Sequence, residues 1–504
     1  MPEQSERPKQ LTLENLREAV RSAAAFRLQV RLSGLDGDGG KVFPPTYAGG
    51  VYAVEDRRID GRVVRCVLLD SVQSQANRME EVLLDAFLPN WRELKASADE
   101  RPSCGLPILA VHVENHGWVT SLTAPHRVHD AIIRDSEIEE EANGNKQKVR
   151  FRESAIGQKI VAARLHKAMA LYEYCPTALI FGTWDSTAGE GLDAAKIPRA
   201  VVSEIIGVDI TPGVRTASRI DPLGIRAQSA TVYRLKDREH DWTLDESEAA
   251  ETDSGKKKFG KGKPSDINHG NVTPDMPRFD QQEIRRQNLG RLPDIIEATP
   301  VELRYELNSG DGRIQSGGLF RSDDVRIRPG AVKPGGVTMD HALHTWTLSL
   351  TQLRRLRFPS ESTADVPDAN ATTSRAAGSM AASTPAQRNE AARTVLAALA
   401  LYALALQQER GCWLRSRCEL VSETPRVLEM IGGAGGAVSL GSTKDVREVL
   451  DSAVKEAEAL GRTWSKDVTF LTPTEKLQDL VRRSDARGPE TEEEEEPADA
   501  GAAS

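Results

Sequence analysis

Paired cysteines and long apolar segments are what this sequence lacks most clearly. Its five cysteines are odd in number and scattered, which excludes a disulfide framework: Cys66, Cys104, Cys175, Cys412 and Cys418. The last two have the wrong spacing for a zinc knuckle and no partner pair. Because the N-terminal ten residues also lack the apolar core of a signal peptide, we expect a reduced, cytoplasmic location.

No apolar run is long enough to cross a bilayer. The longest one, Val395 to Leu406, falls short of the about 20 residues that a membrane-spanning helix needs. We therefore predict a buried helix at this position and no membrane association.

An excess of basic charge is absent as well. The formal net charge is −9, and the residues after Arg487 supply seven negative charges without a lysine or arginine, so the rest of the chain carries only −2. This near-neutral body neither requires nor excludes a nucleic-acid partner, because phosphate binding depends on a local basic track and not on the total charge.

Catalytic and metal-binding motifs are also missing. Four histidines lie close in sequence, but no later pattern completes the ligand set of a metal-dependent phosphohydrolase: His112, His116, His126 and His129. The Asp-Ser pairs at 70–71 and 185–186 are not part of a G-x-S-x-G elbow, and the glycine-rich run at 432–436 lacks a following Gly-Lys-Ser/Thr. We therefore predict no catalytic residue, no metal and no cofactor, so the chain is not expected to be an enzyme.

What the chain does contain is a dense block of structural signals from Val42 to Phe87. Asp60-Gly61 between two β-rich runs predicts a two-residue hairpin turn. The apolar run from Val63 to Leu69 predicts a buried strand. Ser71 is a good N-cap, and the apolar spacing after it predicts a helix from Ser71 to Leu88.

The polar face of that helix suggests a binding surface. Ser74, Asn77 and Arg78 follow at i, i+3 and i+4, so they point the same way. Hydroxyl, amide and guanidinium donors near a helix N-terminus suit phosphate. An ordinary solvated helix face capped by serine explains the same residues equally well.

Periodicity predicts an α+β fold. We expect a first helix over Leu11 to Arg31, strands at 107–114, 118–122 and 177–184, a helix at 156–174 and a strand at 199–210. With the strand and helix of the 42–87 block, the elements follow the order β-α-β-β-α-β of a ferredoxin-like, RRM-like palm. The aromatic signature by which ordinary RNA-recognition motifs stack bases is missing.

Composition divides the chain into segments. We expect a disordered N-terminus at 1–10, the palm with hairpin and loop insertions at 11–236, a mobile charged insertion at 237–292 and a continuing β-rich core at 293–359. A linker at 360–385, a helical C-terminal part at 386–485 and a disordered acidic tail at 486–504 complete the chain.

Several segments resemble one protein family. They are VFPPTYAGGVYAVEDRRIDG and CVLLDSVQSQANRMEE in the first block, PTALIFGTWDS from Pro176, SRIDPLGI from Ser218, LRRLRFP from Leu353 and LRSRCELV from Leu414. These resemble the backbone subunit of type I-G (formerly I-U) CRISPR effector complexes, a Cas seven-type member of the RAMP superfamily. The resemblance covers roughly residues 10 to 485 and implies the same RRM-like palm.

The resemblance also implies a function. Copies of such a subunit polymerise head-to-tail along a CRISPR RNA (crRNA), hold its backbone and leave its bases free to pair with target DNA in antiviral defence. The implied partners are the crRNA, sibling subunits, a subunit that processes and binds the RNA handle, a large subunit and a helicase-nuclease. The complex is the interference assembly called Cascade.

From the residue types, we expect the RNA contacts to be donors on loops and at one helix start, because such groups hold a sugar-phosphate backbone without recognising bases. The candidates are Lys41, Tyr47, Arg57, Arg58, Ser71, Ser74, Asn77, Arg78, Trp184, Arg199, Arg215 and Arg219. Two alternatives stay open. One is a RAMP subunit that cleaves target RNA with a metal ion, through Asp60 or Asp70, and the other is a small-molecule enzyme on a ferredoxin-like frame.

Overall fold

The computed structural model describes residues 8–47, 51–94, 103–142, 145–185, 195–214, 223, 225, 230–235, 238–249, 262–267, 334–359, 383–424, 426–433 and 435–487. Within these ranges the chain is a mixed α/β structure with ten α-helices. In chain order they are α1 Leu13–Ser22, α2 Val72–Phe87, α3 Ala131–Arg134, α4 Ala155–Val161, α5 Met169–Tyr174, α6 Thr177–Phe181, α7 Leu350–Arg354, α8 Pro385–Arg410, α9 Thr443–Ala459 and α10 Glu475–Arg487.

The strands of the described residues fall into six sheets. The first twelve are β1 Lys9–Gln10, β2 Ala23–Gly34, β3 Thr46–Tyr47, β4 Val51–Tyr52, β5 Val54–Ile59, β6 Arg62–Asp70, β7 Ile108–Val113, β8 Gly117–Thr120, β9 Ser136–Ala142, β10 Asn145–Arg150, β11 Thr183–Trp184 and β12 Lys196–Ile197. The others are β13 Val201–Val208, β14 Thr211–Val214, β15 Tyr233–Leu235, β16 Arg238–Thr243, β17 Pro334–Thr338, β18 His341–Ser349, β19 Cys412–Arg415, β20 Cys418–Ser422, β21 Leu428–Gly432, β22 Ala437–Ser439 and β23 Val468–Pro473.

The longer helices begin where the sequence supplies a cap. Thr12, Thr384 and Ser442 each form a capping box with the side chain three residues later, and Ser71 caps α2 through a single bond to a backbone N–H. Each cap satisfies amide groups that have no partner inside the helix. The predicted N-cap at Ser71 and the helix that follows it are confirmed.

The chain divides into two compact units. The first comprises Met1–Asp38, Cys66–Val208 and Asp340–Arg482, and the second comprises Gly39–Arg65, Asp209–Met339 and Arg483–Ser504.

A large sheet forms the centre of the first unit, with strand order β1-β22-β21-β2-β18-β13-β6. The pairs from β21 to β6 are all antiparallel. The β19-β20 hairpin joins this sheet through β20, which pairs with the end of β2. Because β2 and β13 are both antiparallel to β18 and flank it, β2 and β13 run parallel to each other.

Helix α8 provides much of the core of the first unit. It contacts α1, α2 and α9, and its residues from Val395 to Leu404 are buried. By length and composition alone α8 could cross a membrane, but 72% of its most apolar window is buried inside the protein. The predicted buried helix is therefore confirmed, as a core helix of the fold.

A five-stranded sheet also lies in the first unit, in the order β10-β9-β23-β7-β8. Here β7 pairs in parallel with β23 from the far end of the chain, and antiparallel with β8.

The second unit contains hairpins and small sheets. Asp60 and Gly61 both have positive φ angles, 48° and 79°, and form the turn that joins β5 to β6, as predicted. Strand β14 pairs with β17, and Val42 bridges to Val337 beside them. The Gly336 N–H donates to the Tyr52 hydroxyl at 2.9 Å.

Some predicted elements differ from the structure. The segment 177–184 is a strand only at its last two residues, β11, since 177–181 is the buried helix α6. The helix predicted over 156–174 is split into α4 and α5. The helix predicted over Leu11 to Arg31 ends at Ser22, and the rest is β2.

The predicted β-α-β-β-α-β order is therefore wrong in its elements. Strands β7 and β8, predicted as part of the palm, pair instead in the separate five-stranded sheet. The strands predicted near 63–69, 107–114, 118–122 and 199–210 do exist, although Val63, predicted as buried, is 63% exposed.

The predicted segment boundaries stay predictions, with two corrections. Lys9 and Gln10, expected to be disordered, form β1, and the part 386–485, expected to be helical, also contains β19 to β23. The segments 237–292, 360–385 and 486–504, predicted to be a mobile insertion, a linker and a disordered tail, lie mostly outside the described residues.

Candidate nucleic-acid interface

The start of α2 lies directly after β6, and Asp70 is the junction between them. Ser71 Oγ accepts from the Ser74 N–H at 3.2 Å, which caps the helix. Ser74 Oγ donates to Asp70 Oδ1 at 2.8 Å. The hydroxyl of Ser74 therefore points back to the strand end.

Asp70 is a buried carboxylate held by several donors. Its side chain has no exposed surface. Gln75 Nε2 donates to Oδ2 at 2.6 Å, Arg78 Nε to Oδ2 at 3.0 Å, and Arg415 Nη2 to Oδ1 at 3.5 Å. A buried carboxylate needs such compensation, because its ionised form loses the water that would otherwise stabilise it.

Arg78 also fixes the β19-β20 hairpin. Its Nη2 donates to the Leu414 carbonyl at 2.8 Å, and its Nη1 to the Trp413 carbonyl at 3.3 Å. Four acceptor contacts on one guanidinium, counting the two to Asp70, match its planar fork of donors. Arg78 thus connects α2 to a hairpin more than three hundred residues later in the sequence.

The predicted donor face of α2 is consequently divided. Ser71, Ser74 and Arg78 are half-buried and bonded within the protein, whereas Asn77 is exposed. Gln73, one turn earlier, is exposed too. The four predicted residues lie together, but Asn77 is the one that presents its side chain to solvent.

A buried hydrogen-bond chain continues from Asp70 through Gln75. Because Gln75 Nε2 donates to Asp70, its Oε1 is the acceptor for Ser203 Oγ at 2.9 Å and for Gln407 Nε2 at 3.1 Å. Ser203 has one proton and gives it to Gln75, so the 2.9 Å contact to His344 Nε2 requires a proton on that nitrogen. Burial lowers the pKa of His344 to about 4, which keeps the ring neutral.

The β19-β20 hairpin carries an aromatic and basic surface that sequence reasoning left out. Trp413 is 61% exposed, and Arg417 is exposed at the turn with a φ angle of 56°. Arg415 lies between them and keeps about a quarter of its side chain exposed. The segment LRSRCELV, which carries part of the family resemblance, contains both arginines. This resemblance was the one feature of the sequence that could have indicated a binding surface on the hairpin.

Trp184 and Arg199 lie near each other on the β11-β12 pair and the loop after it. Trp184 is 57% exposed, and the Lys196 amine lies 5.5 Å from the centre of its ring. Arg199 is half-buried, and burial together with the nearby Arg127 guanidinium lowers its pKa. Trp184 is thus available to a ligand, whereas Arg199 is partly enclosed.

Arg199 borders a buried ion pair that the sequence did not predict. Arg127 Nε and Nη2 donate to the two carboxylate oxygens of Glu80, both at 2.7 Å, and Arg127 Nη1 donates to the Gly182 carbonyl at 3.1 Å. Burial raises the pKa of Glu80, and Arg127 opposes that rise. The pair connects α2 to the loop before β11.

In the second unit, four predicted contact residues lie on hairpins and the strands beside them. Tyr47 on β3 is 45% exposed, and Lys41 is half-buried beside Gly213. On β5, Arg57 pairs with Glu55, while Arg58 is exposed and donates to the Gly61 carbonyl at 3.0 Å. Arg58 and Tyr47 are thus the more accessible of the four. The other predicted residues, Arg215 and Arg219, lie outside the described residues.

Metal binding finds no support in the part of the chain that the structure describes. Within it, no three histidine, cysteine or acidic side chains converge as a metal ion would require. The buried His129 lies 4.0 Å from Asp185, but Arg152 already donates to that carboxylate at 2.7 Å. Burial lowers the pKa of His129 to about 4, although Asp185 opposes the change.

Comparison with known families finds a match. Residues 26–212 match the family described as CRISPR-associated protein GSU0053. Over this range the chain is similar to a CRISPR-associated family. Comparison with curated proteins gives no match.

In this CRISPR-associated protein, the matched range starts inside β2 and ends inside β14. It therefore contains Asp70 at the end of β6 and Arg78 in α2. The predicted family is confirmed. The β19-β20 hairpin with Arg415 lies beyond the matched range, although it supplies the second arginine of the Asp70 cluster.

Proposed function

We propose that this protein is the crRNA-binding backbone subunit of a type I-G CRISPR interference complex. In this role it acts in the cytoplasm without catalysis. Copies assemble along the guide RNA, hold its sugar-phosphate backbone and leave the bases free to pair with target DNA. The observation that carries the proposal is the family match over residues 26–212.

The strand order supports an RRM-like palm for such a subunit. Along the chain, β2, α2, β13, β18, α8 and β21 follow one another as β-α-β-β-α-β, with other elements inserted between them. Strand β18 lies between the parallel strands β2 and β13, and β21 flanks β2 on the other side. This strand order supports a split βαβ fold that is built from other elements than those predicted from periodicity.

The exposed side chains support contact with an RNA backbone. Within the first unit, Asn77, Trp184, Trp413 and Arg417 offer amide, aromatic and guanidinium groups on a helix start, a short strand pair and a hairpin. Within the second unit, Arg58 offers a guanidinium group and Tyr47 an aromatic ring, each on a hairpin. Scattered donors and single aromatic rings hold phosphates and stack on any base, without distinguishing one base from another.

An assembly of this kind needs an interface that does not close on itself. A head-to-tail contact between identical subunits generates a helical filament, whose length the RNA then limits. The other proposed partners are a handle-binding and processing subunit, a large subunit and a helicase-nuclease.

Target-RNA cleavage through Asp70 finds no support in the geometry. Its carboxylate has no exposed surface and faces Arg78 and Arg415, so neither a metal ion nor a substrate hydroxyl can reach it without breaking the cluster. Asp60 is accessible, but its positive φ angle of 48° explains why an aspartate is present here, since aspartate tolerates this turn conformation.

The direct test is to purify the protein with and without co-expressed crRNA and to measure the ratio of absorbance at nucleic-acid and protein wavelengths. We expect a raised ratio with crRNA that survives washing at moderate salt and falls at high salt, because phosphate contacts release counterions. A ratio that stays at the protein value in both preparations would contradict the proposal.

A further inference from the structure

Two arginine side chains of the first unit share one hydrogen-bond acceptor. Arg357 Nη1 and Arg393 Nη2 both donate to the Leu356 carbonyl, at 3.1 Å and 2.7 Å. Arg357 belongs to the segment LRRLRFP, which carries part of the family resemblance, and Arg393 lies on α8. Because one oxygen accepts from both, the two guanidinium groups lie side by side.

Two more arginines of the same segment lie beside them. Arg354 Nη1 donates to the Val20 and Ala23 carbonyls, at 3.0 Å and 2.7 Å, and so caps the end of α1. Arg355 is exposed, and its Nη1 donates to Gln352 Oε1 at 3.3 Å. We call Arg354, Arg355, Arg357 and Arg393 the arginine cluster.

The hydrogen bonds of this cluster do not offset its charge. Within the described part of the chain, the acceptors of its guanidinium groups are backbone carbonyls and the Gln352 amide oxygen, which are all neutral. Glu390, three residues before Arg393 on α8, pairs with Arg21 at 2.8 Å. The sequence contains no aspartate or glutamate from 341 to 360. The cluster therefore keeps its positive charge.

The arginines of the cluster affect one another. The pKa of Arg393 is lowered to about 10, most of all by burial and then by the charges of Arg357 and Arg354. Glu390 opposes this change. Like charges held this close repel each other, so an anion that contacts both guanidinium groups would stabilise the folded chain.

The backbone fixes the position of Arg357 from a second segment of the first unit. The Arg357 N–H donates to the Leu165 carbonyl at 2.7 Å, and the Ala168 N–H donates to the Arg357 carbonyl at 2.8 Å. Between them, Arg164 and Lys167 close a turn through backbone bonds in both directions, at 3.1 Å and 2.9 Å. The turn therefore places the basic residue Lys167 next to the cluster.

A ligand can reach these groups from solvent. Arg355, Arg357 and Lys167 are exposed, whereas Arg354 and Arg393 are half-buried. The range 154–172, which contains the turn with Lys167, has no acidic residue either. The result is an accessible basic surface on a chain whose net charge is negative.

The geometry suits phosphate better than other anions. A phosphodiester has two free oxygens, so it can accept from two neighbouring guanidinium groups at once, and arginine forms such bonds in pairs. An acidic peptide has to order a flexible side chain for each ion pair, whereas a nucleic acid carries one charge on every repeat of its backbone. A local group of exposed arginines and lysines is the electrostatic footprint of nucleic-acid binding.

We propose that the arginine cluster binds a phosphate group between Arg357 and Arg393, with Arg355 and Lys167 as further cationic contacts. None of these residues was among the predicted RNA contacts. The phosphate comes either from the backbone of a bound RNA, which rests on the proposed function, or from free phosphate, which does not. The experiment below separates the two sources.

The first part titrates the RNA-free full-length protein with fluorescently labelled oligouridine at several chloride concentrations. Arg357→Gln and Arg355→Gln each remove one exposed charge. Each is expected to weaken binding about tenfold at low salt, the effect of losing one charged contact. Each should also reduce the slope of log K against log salt by about 0.7, the value for one phosphate contact on a single strand.

Arg92→Gln is the matched control for these variants. Arg92 is an exposed arginine of the first unit, but its Nη2 lies 3.8 Å from a Glu81 carboxylate oxygen, so its charge is already offset. The variant removes the same charge from the protein and is expected to keep the wild-type affinity and the wild-type salt slope.

Thermal unfolding without ligand shows whether the variants fold. Because the nearest charges to Arg357 within the cluster are positive, Arg357→Gln is expected to unfold at the wild-type temperature or above it. A loss of binding by this variant is then separable from a loss of the fold. Arg355→Gln, at an exposed side chain, provides a second variant for the same comparison.

The second part compares unfolding temperatures in sodium phosphate and in sodium chloride of equal ionic strength. If the cluster takes free phosphate, the wild type unfolds at a higher temperature in phosphate, and Arg357→Gln loses this increase. Poly-glutamate replaces oligouridine in a third titration, which tests an acidic peptide as the ligand.

Each outcome decides the inference. Oligouridine binding that both variants weaken, with the lower salt slope, supports the cluster and identifies RNA as the source. A phosphate effect that Arg357→Gln removes, with oligouridine binding unchanged, supports the cluster and identifies free phosphate. The inference fails if the variants change neither, or if they weaken binding to poly-glutamate alone.

The same measurements distinguish this inference from the proposed function. If the wild type retains crRNA and the variants keep its affinity and salt slope, the proposed function stands and the cluster inference fails. If the wild type does not retain crRNA but Arg357→Gln removes the phosphate effect, the cluster inference stands and the proposed function fails.

Discussion

The Arg78 guanidinium donates through Nε to Asp70 Oδ2 at 3.0 Å, and the Asp70 side chain is completely buried. This contact assigns a structural role to a residue whose position in the sequence suits phosphate binding. Because Ser74 is bonded to the same carboxylate, Asn77 is the one of the four predicted residues on this helix start that is exposed, next to the exposed Gln73.

Alanine at Asn77 and at Arg78 should therefore have different effects. Arg78→Ala removes one of two compensating charges from Asp70 and is expected to lower the free energy of unfolding by about 1–3 kcal/mol. Asn77→Ala should leave stability unchanged and weaken RNA retention to a similar degree for every spacer sequence. Urea unfolding and filter binding with several guides measure both; a loss confined to certain spacers would argue against backbone contact. Gln73→Ala is a control for the exposed helix face.

Asp70 and Asp60 provide a second contrast. Asp70→Asn removes the buried charge to which Arg78 and Arg415 both donate, so we expect a loss of roughly 3–5 kcal/mol in the free energy of unfolding. Asp60→Asn keeps a residue that tolerates positive φ and should change the free energy of unfolding by less than about 0.5 kcal/mol.

The same variants, Asp70→Asn and Asp60→Asn, incubated with target RNA and Mg²⁺ test the cleavage alternative. Regularly spaced cuts by the wild type that either variant abolishes would overturn the non-enzymatic account.

Local signals in the sequence predicted the local structure well. The turn at Asp60-Gly61, the cap at Ser71 and the burial of α8 follow from turn chemistry, capping and apolar composition, and all are present. Strand β2 was missed although Phe26, Leu28, Val30 and Leu32 alternate with polar residues, because the preceding helical spacing was extended through it. Helix α6 was missed because an apolar run this short has no period that separates a strand from a buried helix.

The site was less predictable, since its partners are distant in sequence. Asp70 and Arg415 are separated by 345 positions, and nothing in either local pattern indicates the other. The buried pair of Glu80 and Arg127 is separated by 47 positions and was invisible for the same reason. A hydrogen-bond donor on a helix face that the sequence predicts to be exposed can be assigned to ligand binding only when the acceptors near it in the fold are known.

The Glu80–Arg127 pair offers a third test. Arg127→Met leaves a buried carboxylate unpaired and is expected to cost about 3–5 kcal/mol, whereas adding Glu80→Leu to it should recover most of the loss. A double-mutant cycle in urea measures the coupling. Additive losses would show that the two side chains do not stabilise each other. Arg134→Met, at a half-exposed arginine paired with Asp135, is the control.

The buried histidines predict how stability depends on pH. Burial lowers the pKa of His344 and of His129 from 6.5 to about 4, so the unfolded chain takes up protons before the folded chain does. The contribution of each to stability is complete above pH 6.5 and is lost as the pH falls to 4, by roughly 3 kcal/mol for a fully buried ring. His344→Gln keeps a donor for Ser203 and should flatten the dependence between pH 6.5 and pH 4. If the free energy of unfolding of this variant depended on pH as in the wild type, a group other than His344 would be responsible for the dependence.

The central claim is that copies of this chain hold a guide RNA through its backbone without regard to sequence. Native mass spectrometry of complexes formed with guides of two spacer lengths and two unrelated sequences tests it most directly. The account predicts that the number of protein copies increases with spacer length and is the same for both sequences of one length. A copy number that ignores spacer length, or that changes with sequence, would contradict it.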